Sequence, residues 1–438
     1  MKRSLHSMTA IVAVTSALWC GAPAFAQTTA VADPSAPVDH TGTLTVLTKF
    51  GMQRLAPYFV NLAKAYEEQH PGVTINLIQE DDDSVKGKTK TLVASNSIPD
   101  IFFSWTGTWG GNFVRGKRAV DLTPVVGPDT EWGATLAPAA VKAFVYDGKY
   151  YGIPLYLDAK FMGYNKTMFE ELGLGIPANL DELLSACDTI REAGYTPIAI
   201  GNKEPWIGLH YVGQLLAYNV PQDVLERDFV PSEATYDDPG YVAALEQLGQ
   251  IADRCTVGPD MNGISYQTAL QALSDGKAAM YYQEIIEFDN AAKADTTLKP
   301  EDFGFFPLPA PTDARGDPKA LEGAPEGYMI SSASPNVPLA LDFMKFVTSR
   351  ENGVVLSAPP YGQPSAVVGG ADPSTMNVAV VEGLESIAKA SYLMPWLDTV
   401  NHPRVAAAWL SNVQAFLGKS ITAEDVMNEV KAAADVAK

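Results

Sequence analysis

The sequence predicts an α/β fold in two domains, and three observations lead there. Between Leu44 and Phe103, three short apolar runs alternate with two stretches of helical period, the pattern of a parallel sheet covered by helices. The 438 residues exceed what one hydrophobic core ordinarily holds. A hydrophobic content of 47% against 19% charged residues belongs to a globular chain.

The elements follow in chain order. Residues 1–26 carry Lys2 and Arg3, an apolar stretch from Met8 to Trp19, and Ala24-Phe25-Ala26. These are the parts of a secretory signal peptide, with cleavage after Ala26 and a periplasmic destination. The apolar stretch is too short for a membrane anchor. The bulky Trp19 argues against lipidation at Cys20. Residues 27–41, rich in Thr, Ala, Pro, Ser and Asp, read as a disordered or extended leader. Residues 44–47 read as a strand. Residues 54–69 read as a helix, apolar at Leu55, Tyr58, Phe59, Leu62 and Tyr66 and closed by Pro71-Gly72. A strand at 73–78 ends in the acidic run Glu80 to Asp83, and 85–95 is a second helix.

Pro99-Asp100 then turns the chain into the apolar run Ile101-Phe102-Phe103, a buried strand. Ser104 to Gly111 reads as its carboxyl-end loop, the place where open α/β sheets bind ligands. That loop mixes Trp105 and Trp109 with three hydroxyls and three glycines, which suits a hydroxyl-rich ligand with flat apolar faces. Further on, Asp147-Gly148 marks a hairpin, 157–164 is extended, 168–172 is a helix ended by Gly173, and 180–192 is a helix with Asn179 as N-cap. A strand at 197–200 leads to Gly201 to Trp206, and helices occupy 207–256. A helix at 266–273 precedes a strand at 277–282, with Gln283-Glu284 as its loop. Strands at 303–306 and 328–331 are followed by a mostly helical last hundred residues, including helices at 338–348 and 405–417.

Charge and cysteines exclude several classes. Removing residues 1–26 takes two of the 31 basic residues and none of the 51 acids, leaving a net of −22. Nucleic acid and anionic lipid are therefore poor partners. With Cys20 gone, Cys187 and Cys255 remain; an oxidising compartment permits a bond, but spacing alone does not bring them together. There is no CxxC and no HExxH, and the chain has five His, so neither a metal nor a cofactor is expected.

Four signatures together resemble a known family. They are Pro99 to Trp105 with Gly110, Gly111 and Asp121-Leu122-Thr123; Asp147 to Pro154 running to Tyr164-Asn165-Lys166; Asp275 to Met280; and Glu322-Gly323 with Gly327-Tyr328 and the segment 340–347. In this order they are similar to the extracellular solute-binding proteins of ATP-driven sugar importers, the group that includes the maltose- and oligosaccharide-binding proteins. The resemblance covers about 43–430. It implies the two-lobed, type II periplasmic-binding fold with a ligand cleft at the hinge. It also implies an N-terminal lobe of 42–153 plus 303–335 and a C-terminal lobe of 154–302 plus 336–438. The implied partners are a sugar and a membrane permease, and the implied state is a monomer.

A sugar site asks for aromatic rings against apolar ring faces and for carboxylates and amides around the hydroxyl rim. Strand ends facing the cleft offer Lys49, Phe50, Asp81, Asp82, Trp105 and Thr106 in the first lobe. In the second they offer Tyr156, Asp158, Lys160, Glu204, Trp206, Gln283 and Glu284, with Glu322, Tyr328, Tyr361 and Trp396 completing the set. In the maltose-binding branch an acid at the position of Asp158 contacts sugar, as do an acid and an aromatic flanking a proline, here Glu204-Pro205-Trp206. The bland readings are a solvated turn for Glu80 to Asp83, a salt bridge to Lys160 for Asp158, sheet core for Tyr328 and helix packing for Trp396. After the strand at 277–282 many members carry a small residue and a Trp. This chain has Gln-Glu-Ile-Ile instead, so one stacking platform differs.

Other functions make different demands. A glycoside hydrolase needs two carboxylates at a set separation, and a serine hydrolase an elbow of the G-x-S-x-G kind, which is absent. A polyamine receptor would use acids between aromatics, which the Asp81 to Asp83 run allows. A phosphate-ester receptor would use Arg or a helix N-terminus, and Arg is sparse near the candidates. An adhesive role would need no cleft.

Overall fold

The computed structural model describes residues 30–256 and 260–438. The signal peptide, its cleavage point and Cys20 lie outside them. Among the described residues no helix is long and apolar enough to cross a membrane.

Eleven strands are described: β1 Gly42–Thr48, β2 Val73–Gln79, β3 Ile101–Trp105, β4 Val145–Tyr146, β5 Lys149–Tyr150, β6 Ile153–Asn165, β7 Thr196–Ile198, β8 Ala278–Glu284, β9 Phe303–Phe306, β10 Leu321–Ile330 and β11 Leu393–Met394. The main sheet runs β2-β1-β3-β10-β6-β8-β7, with β9 on β6 and β11 on β10, and β4 and β5 form a hairpin. The first half is the parallel set β2-β1-β3, as the alternating pattern predicts. The two long strands in the middle join the halves. β6 pairs with β10 as far as Ala159, and from Lys160 on it pairs with β8.

Helices cover this sheet for ordinary reasons. In Ala56–Gln69 the buried residues Tyr58, Phe59, Leu62, Ala63 and Tyr66 fall on one face. Trp206–Asn219 is buried almost all round and is correspondingly rich in apolar residues, with the buried polar His210, Gln214 and Asn219 each hydrogen-bonded. Asn179 caps Leu180–Glu192 by accepting the Glu182 N–H, as expected. Two hydrophobic clusters result. One holds Leu44, Phe103, Tyr328 and Phe343, the other Leu184, Tyr211, Leu248 and Trp409. Cys187 and Cys255 are bonded, tying two helices of the second cluster.

Four expectations change. The leader is pinned where it is described: Val31 bridges Asp121 and Ala32 is buried. The helices Val337–Val347 and Arg350–Ser357 pack on the first half, not the second: Phe343 and Phe346 meet Tyr66 at 5.1 and 5.5 Å, and the Tyr58 hydroxyl donates to the Asn352 carbonyl at 3.2 Å. β9 pairs with the second part of β6, so 303–306 belongs with the second half. Gln283 and Glu284 complete β8 rather than forming a loop.

Candidate ligand-binding cleft

Where the halves meet, a cleft of about 350 Å³ is lined by three indoles, six carboxylates and few cations. The first half supplies Asp82, Asp83, Lys86, Trp105 and Glu326, and the second Glu204, Trp206, His210, Glu284, Trp396 and Asp398.

The first wall is made by two strand ends. Trp105 ends β3, and the chain enters the helix Gly107–Arg115 at once, with no loop between. Glycines disfavour helices, yet they are required here. A Cβ on Gly110 would lie 2.3 Å from the Tyr146 hydroxyl, and one on Gly107, at φ +68°, 2.8 Å from Val400 Cα across the cleft. After β2, Asp81 caps the helix Asp82–Ala94 through a capping box with Ser84, so its carboxylate serves the helix end. Asp82, Asp83 and Lys86 then follow on the first turns of that helix.

The second wall starts at Pro205, where the helix Trp206–Asn219 begins. His210 lies one turn along from Trp206, with ring centroids 5.5 Å apart, and meets Trp396 at 4.8 Å. Contacts cross the cleft: the Trp206 indole N–H donates to Asp83 Oδ1 at 3.1 Å, and Lys86 donates to Asp398.

Beneath the walls lies a buried ionic floor. Side chains alternate along a strand, so Tyr156, Asp158 and Lys160 project to one face of β6, and Glu322, Ala324, Glu326 and Tyr328 to one face of β10. Lys49 pairs with Asp82 at 2.9 Å and Glu326 at 2.6 Å, and the Tyr156 hydroxyl also donates to Glu326. Burial alone would lower the Lys49 pKa, but the charges of Asp82 and Glu326 outweigh it and hold the ammonium well above its usual range. Lys160 donates to Gln283 and, at 2.8 Å, to Glu284. Its Nζ lies 5.2 Å from the Trp206 ring centroid and 5.4 Å from that of Trp396, a cation–π arrangement behind both indoles.

Asp158 has no hydrogen-bond partner at either oxygen. Burial pushes its carboxyl well above the usual range, and Glu284 and Glu326 add to the shift. His210 Nδ1 lies 3.0 Å from Glu322 Oε1. Burial drives this pair toward its neutral forms, raising Glu322 and lowering His210.

The model for bacterial extracellular solute-binding proteins matches residues 52–354, more than half of the chain. The chain belongs to that family. This solute-binding protein is 25% identical over 306 residues to the xylose/arabinose-binding protein of Haloferax volcanii, covering 68% of this chain and 64% of that one. It is 24% identical to the multiple sugar-binding protein of Streptococcus mutans, over 66% of this chain and 67% of that one. A solved chitin oligosaccharide binding protein superposes with a TM-score of 0.83 at 21% identity, covering 91% of this chain and 99% of that one. That likeness carries the two-lobed fold.

Of the residues singled out in the sequence of this binding protein, Asp82, Trp105, Glu204, Trp206, Glu284 and Trp396 line the cleft. Lys49, Tyr156, Asp158, Lys160, Gln283 and Glu322 lie in the floor behind it. The others are elsewhere. Phe50 is fully buried against Tyr58 and Phe59, in the turn that follows β1. Tyr328 is core, its hydroxyl 2.7 Å from that of Thr48. Tyr361 packs on Tyr58 in the first half. Thr106 is a buried helix N-cap position, and Asp81 is a cap. Sequence reasoning missed Lys86, Lys203, His210, Glu326 and Asp398. Helical spacing from Asp82 and Trp206 points to Lys86 and His210, and strand alternation from Glu322 to Glu326.

His40, His70 and Asp342 bring ligand atoms within 4.8 Å of one another. The imidazoles stack at 3.9 Å and 4°, so their in-plane lone pairs run side by side and do not converge on one ion. Asp342 already accepts from Tyr66 and sits 3.1 Å from His40, and the cluster reads as a hydrogen-bonded clamp on the leader.

Proposed function

We propose that this protein is a periplasmic receptor for a sugar, handing its ligand to the permease of an ATP-driven importer and working as a monomer without catalysis. One observation carries the reading: indoles from both halves face a cleft whose other lining side chains are mostly acids, six carboxylates against Lys86 and Lys203. Trp105 on one side and Trp206 with Trp396 on the other offer flat surfaces for ring C–H faces. Asp83, Glu204 and Glu284 offer acceptors for hydroxyls. Relatives named for xylose and arabinose, multiple sugars and diacetylchitobiose support the ligand class. A polyamine is disfavoured because Lys160 already places its ammonium against Trp206 and Trp396. A sugar touching both walls binds the closed arrangement best, so it shifts the lobes toward closure.

A thermal-shift screen of mono- and oligosaccharides against polyamines and sugar phosphates tests the reading. A native-state ligand raises the melting temperature. At least one saccharide should do so and then titrate calorimetrically. Shifts from amines or phosphates only would contradict the proposal.

A further inference from the structure

We infer that the ligand is a glycoside carrying an apolar aglycone, its sugar in the indole-and-acid cleft and its apolar group in an adjoining chamber. This rests on the sugar-receptor reading and extends it. The chamber has a volume of about 370 Å³ and is lined by Val93, Trp109 and Phe113 of the first half and by Ala406, Ala407 and Leu410 of the second, among others. That volume suits a small-ligand pocket. Lys86 and Asp398 line both spaces, so the two meet at this ion pair. The indole pair also bridges them: Trp105 lines the cleft, Trp109 lines the chamber, and the rings meet edge-on at 5.4 Å.

The chamber's polar side chains decide what fits. Thr89 donates to the Val85 carbonyl and Thr399 to the Trp396 carbonyl. Asn401 accepts from Tyr236 and donates to Leu397, and Asn112 accepts from Arg115. A second sugar ring set among these groups would strip its hydroxyls of water and find them already engaged, which is costly; Lys90, which also lines the chamber, is exposed and keeps its hydration. The Trp109 indole N–H is buried and unpartnered. One donor suits one ether or phenolic oxygen, not a rim of hydroxyls. An alkyl or aryl group gains from burial, at about fourfold in affinity per buried methylene in the ideal limit.

The test uses the full mature chain and calorimetry with paired methyl, phenyl and octyl glycosides of glucose, galactose and xylose. For the sugar that binds, the phenyl or octyl glycoside should bind at least tenfold tighter than the methyl glycoside. Ala407→Glu, at an exposed position outside the cleft, should abolish that gain while the methyl glycoside still binds. Equal affinities for the methyl, phenyl and octyl forms overturn this inference alone. No binding of any glycoside, with free sugars also inert, overturns the receptor reading beneath it. Tightening that persists in Ala407→Glu places the apolar group elsewhere and also overturns the chamber assignment.

Discussion

Two buried lysines stand behind the two walls of the cleft, and they do different work. Lys49, at the end of β1, is 3% exposed and pairs with Asp82 and Glu326; Lys160, in β6, is 1% exposed and bonds Gln283 and Glu284. Both ammonium groups sit near two aromatic rings. Those of Lys49 are Phe103 and Tyr156, which are core. Those of Lys160 are Trp206 and Trp396, which line the cleft. The same device therefore ties β1 to β10 and the helix Asp82–Ala94 on one side and backs two cleft indoles on the other. Burial of a charged pair is weak evidence of net stabilisation, but removing one partner strands the other.

The largest effect should come from Lys49→Met. It leaves Glu326, 2% exposed, without its cation, and stability should fall by about 3–5 kcal/mol in denaturant unfolding. Adding Glu326→Gln should recover part of the loss. Lys160→Met should show the opposite balance. Glu284 retains some solvent, so stability falls less, while sugar affinity measured by calorimetry drops at least tenfold, about 1.4 kcal/mol. If the two lysine variants lose affinity and stability in the same proportions, the division of labour between them is wrong.

Asp158 lies between the two lysines, and both oppose its raised pKa. Its folded pKa lies above the unfolded value, so the folded state holds the proton more tightly. Stability must then decline as pH rises from the unfolded pKa toward the folded one, by at most about 1.4 kcal/mol per pH unit. Asp158→Asn should flatten that slope and raise the melting temperature at neutral pH, with sugar affinity little changed because the residue lies behind the cleft. The smallest effect sharpens the contrast between neighbours. Asp81→Ala removes a helix cap and should cost about 1 kcal/mol of stability without weakening sugar binding, although Asp82 beside it holds Lys49.

What was legible in the sequence follows from periodicity. The parallel strand–helix alternation of the first half, the Asn179 cap and the β9 bounds could be read locally because each depends on neighbours in the chain. Trp105, Trp206 and Glu204 were legible because indoles and acids at strand ends have few structural roles there. Phe50 is illegible as core because its burial comes from Tyr58 and Phe59 of the following helix, a tertiary contact that its place after a strand does not reveal. The helix at Gly107 was hidden by glycines whose reason is a contact with Tyr146 and Val400, both distant in sequence. Asp398 was out of reach for the same cause: its partner Lys86 is 312 residues away.

The central claim is that one sugar is gripped by indoles of both halves. Calorimetry of the best saccharide with Trp105→Ala, Trp206→Ala and the double variant tests it most directly. Each single variant should weaken binding at least tenfold while melting as a folded protein, and the double variant should weaken it further. Unchanged affinity in either single variant would contradict a two-sided grip.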